Sequence, residues 1–274
     1  MSAGCSNHRD GAIVWHDLLT DQVDRARRFY ADLFGWQYLV EHASDFAWRP
    51  GQTADYPLII SKQAAHGGFV DPDIQVSPGW LAYVAVNDVA GAAERARILG
   101  ARIEREPFDV PGVGRSALIC DPWGARICAF SPTHHFPPPS GVFVWDQLIT
   151  SESAAALHFY QELFGWSTAR ATSDRGDEYG VFKSADATPV AVVKQSSENS
   201  GSSDYQAQWI SCMAVGHLDH SIVQAVELGA ALVQTPDRLR DIGHFAILKD
   251  PVGARFGLVQ VEIGGRKSNS GVQP

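Results

Sequence analysis

The sequence predicts an α+β protein of two tandem domains, each built from two βαβββ units that form curved mixed sheets with outer helices. Two internal repeats within the 274 residues predict this architecture. Residues 15–36 match residues 145–166 at ten of 22 positions, including the whole Leu-Phe-Gly-Trp corner of each copy. A later repeat, at an offset of 129, pairs Trp80 with Trp209, Gly100 with Gly229, and Asp121-Pro122 with Asp250-Pro251.

The first unit reads as a strand over residues 13–19, then a helix, then further strands. Thr20 or Asp21 is the expected N-cap, because a short side-chain oxygen there accepts an orphan backbone N–H. Gly35 stands where a left-handed residue ends a helix. Between these ends, one apolar stripe at helical spacing is formed by Val23, Ala26, Tyr30 and Leu33. The strands that follow are predicted at residues 36–40, 46–48, 56–61 and 67–70.

The second unit begins with a strand over residues 81–86. Asn87 or Asp88 is the expected N-cap of its helix, and Gly100 closes that helix. Strands are then predicted at residues 101–105, 116–120 and 126–130. The last two are joined by a turn over residues 121–124, in which Pro fixes φ early and Gly takes the left-handed position.

The same pattern restarts after a proline-rich segment. A strand over 142–149 precedes a helix that Ser151 or Ser153 caps and Gly165 ends. Later elements are strands at 179–183, 190–194 and 209–215, a helix from Asp219 to Gly229, and a hairpin turn at 250–253. The chain therefore divides into a flexible N-terminus (1–11), a first domain (12–131), a linker (132–141), a second domain (142–262) and a disordered tail (263–274).

Composition narrows the possible partners. The chain has 22 basic and 31 acidic residues and therefore a net charge of −9. This charge disfavours nucleic acids and anionic membranes as partners, because both bind clustered Lys and Arg side chains. No apolar run approaches the ~18 residues of a membrane-spanning helix. The four cysteines form no CxxC pair, which favours reduced thiols. We therefore expect a cytoplasmic protein, monomeric or homodimeric, that binds neither nucleic acid nor membrane.

The βαβββ units, the Phe-Tyr and Leu-Phe-Gly-Trp motifs and the Asp-Pro-x-Gly hairpins together resemble the vicinal oxygen chelate superfamily. Its members include glyoxalase I, bleomycin-resistance and fosfomycin-resistance proteins, and extradiol dioxygenases. The resemblance covers roughly residues 12–131 and 142–262 and is closest to the two-domain, glyoxalase-like subgroup. It implies two tandem glyoxalase-like domains, but it does not fix an activity, because one fold hosts many functions.

The resemblance also implies where the superfamily's metal ligands would stand. The positions on the first strands hold Trp15 and Trp145, and those on the closing strands hold Cys128 and Gly257. The opening positions of the later units hold Leu81 and Ile210. None of these is a carboxylate or an imidazole, and one thiolate does not make a site. The sequence therefore predicts no metal site and no cofactor.

Strand alternation predicts which side chains face the concave side of each sheet. The first cup consists of Trp15, Asp17, Leu19, Leu81, Tyr83, Ala85, Arg126, Cys128 and Phe130. The second cup contains Trp145, Gln147, Cys212 and Arg255. Apolar, aromatic concavities with a few polar groups are typical of small-molecule pockets. His66 is a further ligand-binding candidate, because the glycines that follow it allow a close approach of the backbone.

Asp17 has two interpretations. It pairs with Arg126 as a structural ion pair, or it is buried without a cation. In the second case its pKa rises and it acts as a general acid or base, with Tyr83 or Arg126 stabilising an oxyanion. Its counterpart Gln147 cannot titrate, so acid–base activity is expected in the first cup only.

Three functions remain open. The first is binding of a small, largely apolar or aromatic organic molecule without the superfamily's metal site. The second is a metal-independent lyase, isomerase or hydroxylase-type enzyme that uses Asp17 as acid or base. The third is a non-catalytic structural or interaction protein, in which Trp15 and Trp145 fill the cups.

Overall fold

The computed structural model describes residues 10–44, 53–72, 77–110, 113–133, 141–185, 187–195, 207–240 and 243–261. These residues form two eight-stranded mixed sheets, one in each domain, and four helices, which confirms the predicted α+β tandem fold. The first domain comprises β1 Ile13–Leu19, α1 Val23–Phe34, β2 Gln37–Ser44, β3 Thr53–Ser61, β4 Ala64–Val70, β5 Gly79–Ala85, α2 Val89–Ile98, β6 Arg102–Val110, β7 Gly114–Cys120 and β8 Arg126–Pro132. The second comprises β9 Phe143–Thr150, α3 Ser153–Phe164, β10 Ser167–Thr172, β11 Glu178–Lys183, β12 Pro189–Gln195, β13 Gln208–Ala214, α4 Leu218–Glu227, β14 Ala231–Leu239, β15 Gly243–Lys249 and β16 Arg255–Val261.

Each sheet joins its two units edge to edge. The strand order is β2-β3-β4-β1-β5-β8-β7-β6 in the first domain and β10-β11-β12-β9-β13-β16-β15-β14 in the second. The opening strands β1 and β5 pair antiparallel, and each is parallel to the last strand of its own unit. Both opening strands therefore lie at the centre of the sheet, where Asp17 on β1 is directly opposite Leu81 on β5.

Three helix ends lie where the sequence predicts them, two at a glycine and one at a capping aspartate. Gly35 and Gly165 end α1 and α3 in the left-handed conformation, with φ of 68° and 69°. The Asp88 side chain caps α2 by accepting the Gly91 backbone N–H at 3.0 Å. These three predictions are confirmed.

The N-termini of the other two predicted capped helices differ from expectation. The N-cap of α1 is Gln22, without a side-chain cap, although Thr20 Oγ1 accepts the Gln22 backbone N–H at 3.0 Å. The N-cap of α3 is Glu152, so neither Ser151 nor Ser153 caps that helix. We attribute the positions of these two N-termini to tertiary packing of the buried helix face, which stabilises a helix without a side-chain cap.

Strand prediction is incomplete at the sheet edges. The sequence does not predict strands β10 and β14, and β6 continues to residue 110 beyond its predicted end. The predicted strand at 46–48 lies outside the described residues. Edge strands are buried less, so they carry little of the apolar alternation that reveals a central strand.

Two hydrophobic clusters join the convex sides of the domains. One combines α2 and strands β5 to β8 of the first domain with α3, β9, β11, β12 and Trp209 on β13 of the second. The other combines α1, strands β1 to β4 and Trp80 on β5 with α4, β13, β15 and β16. The helices thus pack against both domains, and the concave face of each sheet keeps a separate cluster of its own.

Reciprocal hydrogen bonds tie each domain to a hairpin turn of the other. The Tyr30 hydroxyl on α1 donates to Asp250 Oδ2 at 2.9 Å. The Tyr160 hydroxyl on α3 donates to Asp121 Oδ2, also at 2.9 Å. The Phe-Tyr motifs and the Asp-Pro-x-Gly turns, found separately in the sequence, are therefore partners across the domain interface.

His16 and Asp146 occupy equivalent places in the two domains and meet each other. His16 Nε2 lies 3.0 Å from Asp146 Oδ2, and the two side chains are 7% and 2% exposed. The His16 ring stacks on Phe143 with centroids 4.0 Å apart, and the Ser211 hydroxyl donates to Asp146 Oδ1 at 2.7 Å. His16 is therefore a hydrogen-bonded core histidine whose partner belongs to the other domain.

Among the described residues, no helix combines the length and apolarity that crossing a membrane requires. Cys120, Cys128 and Cys212 are buried free thiols, in agreement with the sequence. Cys5 lies outside the described residues.

Candidate functional site

The first cup is centred on a buried carboxylate held by aromatic side chains. Asp17 is 3% exposed. Its Oδ2 accepts the Tyr83 hydroxyl at 2.6 Å, and its Oδ1 accepts the Tyr56 hydroxyl at 2.7 Å and Trp15 Nε1 at 3.1 Å. The indole N–H of Trp15 also lies 2.9 Å from the Tyr56 oxygen. Within the described part of the chain, Asp17 is therefore held by neutral donors and not by a cation.

Burial decides the protonation behaviour of this cluster. It raises the pKa of Asp17, although the hydrogen bonds from Tyr56, Tyr83 and Trp15 act against that rise. Burial and the adjacent Asp17 charge raise the pKa values of Tyr56 and Tyr83 well above the usual value. Both hydroxyls consequently stay protonated and donate, and the Asp17 carboxyl is the group whose titration moves toward neutral pH.

Gly68 makes room for Tyr56. Strand β4 runs beside β1 with Gly68 directly opposite Asp17, and a Cβ at Gly68 would collide with the Tyr56 ring. The absent side chain lets the ring lie across β4 and carry its hydroxyl to the carboxylate.

Gly68→Ala is therefore expected to lower the free energy of unfolding by about 1–3 kcal/mol, because the Tyr56 ring must move away from Asp17. Chemical denaturation with far-UV and near-UV circular dichroism measures both the loss and the displaced aromatic packing. The matched control is Gly79→Ala on β5, where the nearest atom to a new Cβ is Ser77 O at 3.9 Å. Equal stability of the two variants would contradict the close contact.

The rest of the first cup is apolar and mostly filled. Leu81, Cys128 and Phe130 are 1%, 0% and 5% exposed, and Tyr83 packs edge-on against Phe130 at 5.8 Å between centroids. Burial raises the pKa of the Cys128 thiol well above its usual value, so this thiol is unreactive. Trp15 and Tyr56 are both partly exposed and connect the Asp17 cluster with the outside.

Two predicted site residues, Arg126 and His66, are not part of the Asp17 cluster. Arg126 on β8 does not pair with Asp17; its Nε lies 2.5 Å from Glu104 Oε2 on β6, which is separated from β8 by β7, and its side chain lines a cavity between the domains. His66 is 2% exposed, and its Nε2 lies 2.9 Å from the Ser61 carbonyl oxygen. The long Arg126 side chain reaches a closer carboxylate, and the β3–β4 turn engages the His66 ring.

The second cup is not a chemical copy of the first. Gln147, the counterpart of Asp17, is fully buried, and neither its Oε1 nor its Nε2 has a hydrogen-bond partner among the described residues. Trp145 is 9% exposed, and burial raises the pKa of the Cys212 thiol well above its usual value. Gly257 leaves space for the Cys212 sulfur, and Arg255 lines the cavity between the domains.

The residues present do not fit the superfamily's metal ion. In the first domain, Trp15, Tyr83 and Cys128 are cross-strand neighbours on β1, β5 and β8. Trp145, Cys212 and Gly257 have the same relation in the second domain. Two thiols at different sites cannot replace a set of carboxylates and imidazoles. The described residues contain no group of three His, Cys, Asp or Glu side chains close enough to hold a metal ion.

Sequence reasoning misses Tyr56 and Glu104 as neighbours of the predicted site residues. The sequence places Tyr56 on a strand but does not indicate which face of the sheet it occupies. The signal available is Gly68, because a glycine inside a strand often marks a close approach by a side chain or backbone. Glu104 gives no such signal, because only the pairing of β6 with β7, and of β7 with β8, brings it to Arg126.

Comparison with known proteins identifies the family to which both domains are similar. Residues 12–129 match the Glyoxalase/Bleomycin resistance protein/Dioxygenase superfamily, and residues 143–259 match a glyoxalase-like domain. A protein named "Putative glyoxylase CFP32" from Mycobacterium bovis is 27% identical over 267 residues, covering 93% of this chain and 97% of that protein. The anthracycline biosynthesis protein DnrV of Streptomyces peucetius is 29% identical over 268 residues, covering 93% and 94%.

Solved structures show the same fold at lower identity. The Mn(II)-bound glyoxalase from Novosphingobium aromaticivorans superposes with a TM-score of 0.61 at 15% identity, covering 92% of this chain and 82% of that one. A 4-hydroxymandelate synthase variant from Streptomyces coelicolor gives 0.59 at 12% identity, covering 93% and 94%. The likeness at these identities concerns the fold alone.

Proposed function

Because the chain belongs to the glyoxalase/bleomycin resistance protein/dioxygenase superfamily, we propose that it binds a small, largely apolar or aromatic organic molecule in its first cup. Asp17 is the polar anchor of this site, and binding needs no divalent metal ion, because the superfamily's ligand positions lack carboxylates and imidazoles. The observation that carries the proposal is the Asp17 carboxylate itself, which is 3% exposed and held by three aromatic donors.

A buried carboxylate without a cation costs folding free energy even when neutral donors satisfy its oxygens. The second domain fills the same strand position with Gln147, so the fold does not require an acid there. A ligand hydroxyl or N–H group that replaces the Trp15 indole at Asp17 Oδ1 would keep the carboxylate satisfied. The aromatic rings of Tyr83 and Phe130 would contact the apolar part of that ligand.

Two relatives are named for anthracycline biosynthesis, and both are matched over nearly their whole length. The names put those relatives in the biosynthesis of an organic small molecule. We extend to this chain only the class of ligand, a small organic compound with a large apolar surface. The tryptophan and tyrosine side chains of the first cup are suited to that class.

A second candidate function is acid–base catalysis at the same residue. Burial raises the pKa of Asp17, and the Tyr83 hydroxyl 2.6 Å away stays protonated. A carboxyl that takes a proton from a bound substrate, beside a phenol that donates to the oxygen where charge develops, is a workable pair for a lyase or isomerase. The same geometry thus supports either binding alone or binding with proton transfer.

The filled cups favour a third candidate, a structural or interaction protein, and the ligand screen distinguishes it. We expect a thermal-shift screen against aromatic acids, phenols and α-oxoaldehydes with thiols to yield at least one compound that raises Tm. A screen without any stabilising compound would leave the structural function as the better account.

Asp17→Asn is expected to weaken binding of such a compound by at least tenfold, which corresponds to ~1.4 kcal/mol. The reason is that an amide accepts hydrogen bonds only at its oxygen, whereas the carboxylate accepts the Tyr56 and Tyr83 hydroxyls on two separate oxygens. Isothermal titration calorimetry measures the affinity. If the compound is also converted, loss of turnover with unchanged affinity identifies Asp17 as the acid–base group.

The matched control is Gln147→Leu, which changes the equivalent residue of the second cup. Its affinity for the same compound should equal that of the wild type, because the ligand binds in the first domain. A loss of affinity in Gln147→Leu with none in Asp17→Asn would move the site to the second cup.

A further inference from the structure

A cavity of about 190 Å³ lies between the two domains and is separate from the Asp17 carboxylate. Its walls come largely from equivalent residues of the two repeats. The equivalent pairs that line this junction cavity are Pro78 and Ala207, Gly79 and Gln208, Trp80 and Trp209, Gly124 and Gly253, and Arg126 and Arg255. The remaining lining residues are Leu19, Ser77, Leu81 and Lys249. The junction cavity is thus a product of the duplication and belongs to neither cup alone.

The charge of the junction cavity is opposite to that of the whole chain. Arg126, Lys249 and Arg255 line it, and none of the lining residues in the described ranges is acidic. The chain as a whole carries a net charge of −9. Three cations therefore line one small cavity of an acidic protein, and whether the cavity is positive depends on which of them have an acidic partner.

The first domain neutralises its own cation. Glu104 accepts hydrogen bonds from Arg126 Nε at 2.5 Å and from Arg126 Nη2 at 3.0 Å. Glu104 stands at an irregularity in the β6–β7 pairing, between Ile103 and Arg105, and Cys120 is the residue directly opposite Arg126.

The second domain has lost this arrangement at the equivalent places. Val233 stands at the same irregularity in the β14–β15 pairing, between Leu232 and Gln234. Lys249 replaces the cysteine and is directly opposite Arg255 across β15 and β16. Lys249 and Arg255 have no ion pair or hydrogen bond within the described part of the chain. Like charges directly opposite each other on a sheet are destabilising, so an anion bound between Lys249 and Arg255 would stabilise this pair.

We propose that the junction cavity binds a small oxyanion, a phosphate or carboxylate group, between Arg255 and Lys249. The guanidinium offers two parallel N–H groups to the oxygens, and the ammonium adds a compact second charge. The buried indoles of Trp80 and Trp209, each 3% exposed, form apolar walls on both sides. The volume is below the ~300 Å³ of a typical drug-sized site, so the cavity suits a small anion or a ring bearing one acid group.

The test is isothermal titration calorimetry at low ionic strength with two probes, inorganic phosphate and benzoate. Both probes present an oxyanion, and benzoate adds a ring that can contact the indoles. We expect the wild type to bind at least one probe and Arg255→Gln to bind it at least tenfold more weakly. The control Arg170→Gln removes an exposed cation from β10, at the opposite edge of the second sheet, and should bind like the wild type.

Val233→Glu tests the proposal without removing either cation. Val233 is 47% exposed, so a glutamate there is accommodated, and it would engage Arg255 as Glu104 engages Arg126. We expect this variant to lose probe binding at least tenfold and to have a higher Tm than the wild type in the absence of anions.

Three results would overturn the proposal. These are no binding of either probe to the wild type, unchanged binding in Arg255→Gln, and unchanged binding in Val233→Glu. Because Arg255→Gln removes one charge from a half-buried surface, denaturation of each variant checks that it is folded before titration. A gain of Tm in Val233→Glu together with lost binding supports the proposal from two independent measurements.

Discussion

His16→Leu is expected to lower the free energy of unfolding by about 3 kcal/mol. The imidazole is removed from Asp146, whose side chain is 2% exposed, and Ser211 is then the remaining side-chain donor to that carboxylate. A buried carboxylate that loses a hydrogen-bond partner keeps its desolvation cost. Urea denaturation at neutral pH measures the loss.

An exposed histidine–aspartate pair in the same protein supplies the control. His42 Nδ1 lies 2.6 Å from Asp55 Oδ1, but those side chains are 74% and 64% exposed. His42→Leu should therefore change the free energy of unfolding by less than ~1 kcal/mol. The double variant His16→Leu with Asp146→Leu should regain much of the loss, because it removes the buried charge as well. Equal effects of His16→Leu and His42→Leu would contradict the interface account.

Asp250→Asn is expected to change how stability depends on pH. Burial raises the pKa of Asp250 from 3.8 to about 6, although its hydrogen bonds from Tyr30 and from backbone N–H groups act against that rise. The folded protein then binds this proton more tightly than the unfolded chain. Its contribution to stability is present below about pH 4 and is lost as the pH rises to about 6. The loss amounts to about 3 kcal/mol, because each tenfold difference in proton affinity between the folded and unfolded chains is worth ~1.4 kcal/mol.

The measurement is the free energy of unfolding of wild type and Asp250→Asn between pH 4 and pH 7. Over this range the difference between them should shift by about 2.4 kcal/mol in favour of the variant as the pH rises, because asparagine does not titrate and the rest of the loss falls below pH 4. Burial also raises the pKa values of Asp17 and Asp121, so the wild-type profile alone cannot isolate Asp250. Asp24→Asn, at a side chain that is 82% exposed, is the control and should give a constant difference.

The repeats made most of the fold predictable. Gly35 and Gly165 could be placed at helix ends because glycine has a specific use in the left-handed conformation. Strands β10 and β14 could not be predicted from the sequence, because their stability comes from pairing with a neighbouring strand and not from an apolar face of their own. In β14, for example, Leu232 and Val233 are 41% and 47% exposed.

The candidate site was predictable only in part. Strand parity placed Asp17 and Tyr83 on one face, and their hydroxyl–carboxylate contact of 2.6 Å follows from that placement. Strand parity predicts the face of the sheet on which a side chain lies but not which neighbour a long side chain reaches, so it could not predict the pairing of Arg126 with Glu104. The joining of His16 to Asp146 depends on how two domains pack, which no local pattern within either domain encodes.

The interface and the cups have different chemistry, although they share strands. Neighbouring residues of β1 face opposite ways, so His16 holds the domains together while Asp17 faces the first cup. A substitution at position 16 should therefore act on stability, and one at position 17 on ligand binding. This separation lets the two roles be measured independently in the same protein.

Metal-independent binding at Asp17 is tested by titrating wild type and Asp17→Asn, after treatment with a strong chelator, with the stabilising aromatic compound from the screen. We expect the chelated wild type to keep its full affinity and Asp17→Asn to lose at least tenfold. Affinity that disappears on chelation and returns with a divalent metal ion, or that is the same with asparagine at position 17, would contradict it.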